Sequence, residues 1–216
     1  MASAPLTFGW LAVLFVTTRV QRSAGKRAAL RLQRTYSTNL TRLRREPHRV
    51  LPASLFWLDD RRWWPYVPLF VGVLAPAERR LRWWRWLLVG LAAHVIATYL
   101  GQGQLRRAIR SGTAPRRLVN VRDVGVSYFF FGVAGTLSGY VPREFRTPAQ
   151  AVAVAALTVN AAVRPTFTEI GHLTALVVGL GAVPLAPERD RLPYPAPGMR
   201  ALRIQQGKLR RLDQIP

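Results

Sequence analysis

Ser127 and His172 are the residues whose types and spacing could do chemistry. Ser127 follows Asp123 by four residues in Asp123-Val-Gly-Val-Ser-Tyr-Phe-Phe-Phe-Gly, and His172 follows Glu169 by three in Glu169-Ile-Gly-His-Leu-Thr-Ala-Leu-Val-Val-Gly. Each therefore sits about one turn inside an apolar segment. One further apolar segment separates the two, so as membrane helices they would cross in the same direction. At a rise of roughly 1.5 Å per residue, both side chains would lie on the order of 6 Å below one surface. A hydroxyl and an imidazole at one depth are the parts of a nucleophile and its base. Either residue alone means less, because serine commonly packs between membrane helices and a buried imidazole can simply bond to a backbone carbonyl. An ionisable side chain within a span is nonetheless a functional hypothesis, since its desolvation must be compensated. The other histidines are His48 and His94, and His94 also falls in an apolar run. Cysteine is absent, which excludes thiol nucleophiles, disulfides and thiolate metal sites, and no zinc-ligand spacing occurs.

The elements that must position this pair are apolar runs near residues 5 to 18, 63 to 77, 86 to 105, 124 to 142, 147 to 163 and 170 to 187, each bounded by arginine, proline or both. About 20 such residues cross a hydrocarbon core of about 30 Å, so the third, fourth and sixth are long enough unaided. The first, second and fifth need flanking tryptophan, a thinner bilayer or burial in a bundle. The pattern predicts an all-α polytopic membrane protein forming one domain over residues 1 to 187, followed by a polar, basic tail over 188 to 216. The N-terminus lacks the positive region of a signal peptide and reads as a retained first helix. A long first loop, residues 19 to 62, carries twelve basic residues. Its Arg19 to Arg34 part reads as a helix at headgroup level or as a solvated basic loop, and residues 51 to 58 are apolar enough to dip back into the membrane. Residues 75 to 86 form a tight basic turn with interfacial tryptophans.

The formal net charge is +22, and every basic residue but Lys26 and Lys208 is arginine. Such charge ordinarily raises nucleic acid as a partner. Here the basic residues flank apolar spans and no RNA-binding signature appears, so the expected counter-charge is anionic lipid at the basic loops. Counting basic residues, the side holding the long first loop carries 19 and the side holding the tail 13. The positive-inside rule alone would place the first loop in the cytoplasm.

Gly125, Gly132, Gly135 and Gly139 give the fourth helix a smooth stripe, and Gly179 lies two turns beyond His172 on one face of the sixth, with Ala175 between. These faces suit close helix packing, which a hydroxyl and an imidazole need in order to meet. In this register the chain resembles the rhomboid family of intramembrane serine proteases. Gly125-x-Ser127 with Phe131, Gly132 and Gly135 looks like that family's fourth helix, and His172 with Gly179 like its sixth. Arg49-Val-Leu-Pro-Ala-Ser-Leu-Phe looks like the end of its long first loop, and Pro76-Ala-Glu78 like the end of its second helix. The resemblance implies a six-helix bundle in the plasma membrane with a Ser127–His172 dyad opening to the extracytoplasmic side. It makes Ser127 the nucleophile and His172 the base, puts Phe131 against the imidazole, and implies no metal or cofactor. Asp123 and Glu169 are candidates for the polar mouth that admits water or, more simply, for caps on their helices.

Three features depart from the family's pattern. Active members place His-x-x-x-Asn on the second helix to help hold the oxyanion, whereas this chain reads Trp64-Pro-Tyr-Val-Pro68. Losing one such donor typically costs about 2.7 to 4 kcal/mol of barrier. Tyr128 follows the nucleophile where the family has glycine, and Thr174-Ala175 replaces a Gly-Gly pair. His94 is an auxiliary candidate for the missing donor. The expected functions are cleavage of a transmembrane helix, non-catalytic binding of membrane helices in the same groove or, least favoured by the scarcity of charges within spans, solute transport.

Overall fold

The computed structural model describes residues 3 to 59 and 62 to 187, so the expected tail over 188 to 216 lies outside the described residues. All regular structure among the described residues is helical. The first helix, α1 (Pro5–Ser23), starts on a proline that has no amide to leave unsatisfied. It continues past the apolar run because nothing between Thr18 and Ser23 breaks it, and Arg19 and Arg22 therefore belong to it. Gly25, at φ +74°, turns the chain into α2 (Gly25–Tyr36), so the basic stretch expected as a single helix over Arg19 to Arg34 is divided at that residue. Short helices α3 (Leu40–Arg45) and α4 (Pro47–Ala53) and the tight turn Ser54–Phe56 complete the first loop.

Next, α5 (Tyr66–Leu69), a wide π-helical turn (Phe70–Leu74) and α6 (Ala75–Leu81) run on as one rod. Arg82, at φ +68°, reverses the chain into α7 (Trp83–Arg110). Then come α8 (Val126–Leu137), α9 (Arg143–Val163) and α10 (Phe167–Gly181). Among the described residues α7, with 28 residues, is the one helix long and apolar enough to cross a bilayer by length and composition. The fourth and sixth apolar runs give shorter helices than their lengths suggest. Gly125 starts α8 late and the tight turn Ser138–Tyr140 ends it early, while Val183–Leu185 forms a separate turn after α10.

The centre of the bundle is α7, α8 and α10, packed on one another. Their approach is set by missing side chains: a Cβ on Gly179 would overlap the Gly132 backbone, and one on Gly132 would overlap Ala93. Thr136 uses this closeness to donate its hydroxyl to the Gly179 carbonyl at 2.8 Å. A second cluster joins α1 to the rest. Trp10, Phe70, Trp86 and Phe129 meet edge to face with centroids 4.7 to 6.1 Å apart, and the Trp10 indole donates to the Leu55 carbonyl at 2.8 Å. The apolar 51 to 58 stretch is thus drawn into the bundle, with Leu55 and Leu58 buried. Buried Glu78 of α6 receives the Leu6 and Thr7 amides at 3.0 and 2.8 Å and the Thr7 hydroxyl at 2.7 Å, closing the open end of α1.

The outer faces carry the opposite signature. Phe8, Phe15, Val16 and Val20 of α1, and Leu88, Ile96, Tyr99 and Leu100 of α7, are all exposed. Peripheral α9 has no buried residue. Apolar surface this extensive is what a lipid-facing protein presents.

Candidate active site

Ser127 occupies the first turn of α8, and three tethers fix where that turn begins. The Gly125 amide donates to the Ser54 carbonyl at 3.1 Å, the Thr38 amide donates to the Asp123 carbonyl at 3.0 Å, and Gly125 lies against the His94 ring, where any Cβ would overlap the imidazole. The first intrahelical bond of α8 runs from the Phe129 amide to the Gly125 carbonyl. The Val126, Ser127 and Tyr128 amides therefore precede the i to i−4 ladder, at the positive end of the helix.

His172 lies on α10 with Nε2 3.0 Å from Ser127 Oγ. Its Nδ1 is 3.2 Å from Glu169 Oε2, one turn earlier on the same helix. The Asn160 amide, from α9, donates to that same carboxylate oxygen. An ionised carboxylate only accepts, so Nδ1 carries the imidazole proton, Nε2 presents its lone pair, and the Ser127 hydroxyl donates to it. The imidazole is walled by Phe131, centroids 4.9 Å apart, and by the edge-on ring of Tyr128 at 5.5 Å. The side chains of His172 and Glu169 are 17% and 19% exposed, leaving the pair reachable but largely desolvated.

Neither acidic residue is a helix cap. Thr166 caps α10 by accepting the Glu169 amide at 3.3 Å, which frees the Glu169 carboxylate to reach His172. Asp123 precedes the start of α8 by too much to cap it, and Gly125 occupies the cap position. The Asp123 carboxylate instead accepts from Tyr128 Oη at 3.0 Å and from Gln102 and Thr38, each at 3.2 Å. Burial pushes this carboxyl up to about 6, against the three hydrogen bonds that favour its charged form. Asp123 is 4% exposed, so it belongs to an internal network and not to a watered mouth.

His94 is not brought to the pair. Its Nε2 lies 3.0 Å from the Leu51 carbonyl and 3.3 Å from Ser54 Oγ, and its Nδ1 3.4 Å from Thr98 Oγ1. The first two contacts hold the first loop against α7, and the third, to Thr98, lies within α7 itself. Tyr128 touches both imidazoles, stacking on His94 at 6.3 Å. Gly132, Gly135 and Gly179 sit below the pair, where α8 and α10 are closest. In the Trp64-to-Pro68 stretch, Trp64 is 60% exposed while Tyr66, like the preceding Trp63, packs on the core. The residues the sequence reading did not put in this role are Glu169 and Asn160. The Glu-x-x-His spacing places the first on the histidine's own face, whereas only the fold supplies the second.

Among the described residues no cluster of acidic or histidine side chains could hold a metal ion. The arrangement can generate an oxygen nucleophile and return its proton to a leaving group. A family model described as rhomboid-like protein matches residues 1 to 192. No curated protein and no solved structure matches the chain.

Proposed function

Since the chain belongs to the rhomboid-like family and is by that membership a membrane protein, we propose that it is an intramembrane serine endopeptidase using Ser127, His172 and Glu169 on the peptide bonds of transmembrane helices. The observation carrying this reading is the continuous hydrogen-bonded series from Ser127 Oγ through the imidazole to the Glu169 carboxylate. A histidine kept only for packing has no need of a serine on one nitrogen and a carboxylate on the other.

In the proposed reaction Ser127 Oγ attacks the scissile carbonyl carbon while its proton passes to His172 Nε2. The resulting oxyanion is held by the unladdered amides at the start of α8, which take over part of the work of the absent second-helix donors. Collapse breaks the C–N bond, the imidazolium gives its proton to the departing amine, and an ester joins substrate to Ser127. Water, deprotonated by His172, then attacks the ester, and the proton returns to Ser127 as the new carboxyl end leaves. Glu169 holds the imidazole in its reactive tautomer and stabilises the imidazolium between transfers.

The proposed architecture has six spans, namely α1, the α5 to α6 rod, α7, α8, α9 and α10, in the plasma membrane, with residues 188 to 216 as a separate tail. A second reading, a non-catalytic binder of membrane helices, is favoured by one observation: the stretch leading into the second helix presents Trp64 and Pro68 where active rhomboids carry oxyanion donors. A fluorophosphonate probe separates the two. Labelling of the purified wild type that is lost in Ser127→Ala and His172→Ala supports the protease, and equal labelling of all three proteins overturns it.

A further inference from the structure

We propose that the cavity between α3 and the C-terminal end of α7 is a binding site for one anionic phospholipid. This does not depend on proteolysis. The cavity has a volume of about 980 Å³, and its charged lining is entirely cationic: Arg44 and Arg45 from α3 face Arg106 and Arg110 from α7. The α7 pair is spaced i, i+4 and so shares one helix face. None of the four forms an ion pair among the described residues, so each guanidinium is available to a ligand. Four like charges around one hollow repel one another, and an anion that accepts their planar N–H forks relieves that cost; phosphate suits the geometry.

Two further observations distinguish a lipid from a soluble anion. The rest of the lining is mostly apolar, with Tyr99 and Ile109 on the α7 wall, which suits an acyl chain and offers nothing to a free ion. The cavity also lies at the end of the helix long enough to span a bilayer, beside exposed Tyr99 and Leu100, where headgroups and the first methylenes are found.

Native mass spectrometry of the full-length protein released from detergent tests the site. Phosphatidylglycerol is expected to stay bound under conditions that strip phosphatidylcholine, with roughly tenfold weaker retention in the Arg44→Gln/Arg106→Gln/Arg110→Gln variant. The same substitutions to lysine, which keep the charge but not the planar fork, should restore only part of the retention, and Arg79→Gln, outside the cavity, should leave it unchanged. Thermal unfolding of each variant checks that the fold persists. Equal retention of the two lipids, or retention indifferent to the three arginines in folded protein, overturns the site. Stabilisation by inorganic phosphate or glycerol phosphate equal to that by the lipid overturns the lipid assignment in favour of a soluble anion.

Discussion

Glu169 sits one helical turn ahead of His172 with its Oε2 3.2 Å from the imidazole Nδ1, so one helix carries both the base and the group that orients it. Because Asn160 donates to that same oxygen, the carboxylate is fixed from α9 as well. In Glu169→Gln the amide can turn its NH2 toward Nδ1 and favour the tautomer that cannot accept the serine proton. The fluorophosphonate labelling rate should fall roughly tenfold to a hundredfold. Glu169→Asp, which keeps the charge on a shorter stem, should recover part of it. A Glu169→Gln rate within about twofold of wild type would leave the carboxylate without this role.

Glu78 should matter for stability although it stands far from the pair in sequence. It is 4% exposed and receives three hydrogen bonds from Leu6 and Thr7, so Glu78→Ala strands the buried Thr7 amide and the partly buried Leu6 amide of α1. The expected cost is about 3 kcal/mol, seen as a lowered unfolding midpoint in detergent. Glu78→Gln keeps an acceptor and should cost about half as much. Equal midpoints for wild type and Glu78→Ala would mean that α1 docks through its aromatic cluster alone.

Asp123 gives the stability a pH dependence of definite sign. Its carboxyl is raised by burial to about 6 in the folded chain, above its ordinary value of 3.8, so the folded state holds the proton more tightly than the unfolded one. The stabilisation is fully present below about pH 4 and is lost as pH rises through about 6, on the order of 3 kcal/mol from this group. The unfolding midpoint of Asp123→Asn should therefore vary less than that of wild type between pH 4.5 and 7.5. A wild-type profile that rises over this window, with the variant parallel to it, would refute the assignment.

The site was legible in sequence where its parts lie on one helix or obey a helical register. Ser127 and His172 share a depth because they enter parallel helices at the same point, and Gly132, Gly135 and Gly179 announce a close crossing by lacking side chains. Glu169-x-x-His172 was visible as a spacing, but a carboxylate in a first turn reads equally well as a cap until Thr166 is seen to occupy that role. Asn160, Thr38 and Gln102 were beyond reach, since each meets the site from another element and nothing in its own neighbourhood marks it. Helix ends were misjudged for a related reason. An apolar run measures what lipid or core will tolerate, whereas Gly125, the Ser138–Tyr140 turn and Gly25 decide where hydrogen bonding starts and stops.

Gly179 offers the sharpest test of the crossing that brings the pair together. A methyl group there would overlap the Gly132 backbone, which has no flexible end to move aside, so α10 must shift away from α8. That shift also strains the bond from the Thr136 hydroxyl to the Gly179 carbonyl. Gly179→Ala is expected to cost about 2 to 4 kcal/mol through overpacking. At a temperature where it remains folded it should still label more slowly than wild type, because a displacement of even about 1 Å lengthens the approach of His172 to Ser127. Gly181→Ala is the matched control: it lies two residues on in the same helix, and nothing stands within 4 Å of its added Cβ. Equal stability and labelling in the two variants would show that the crossing is looser than the glycine contact requires.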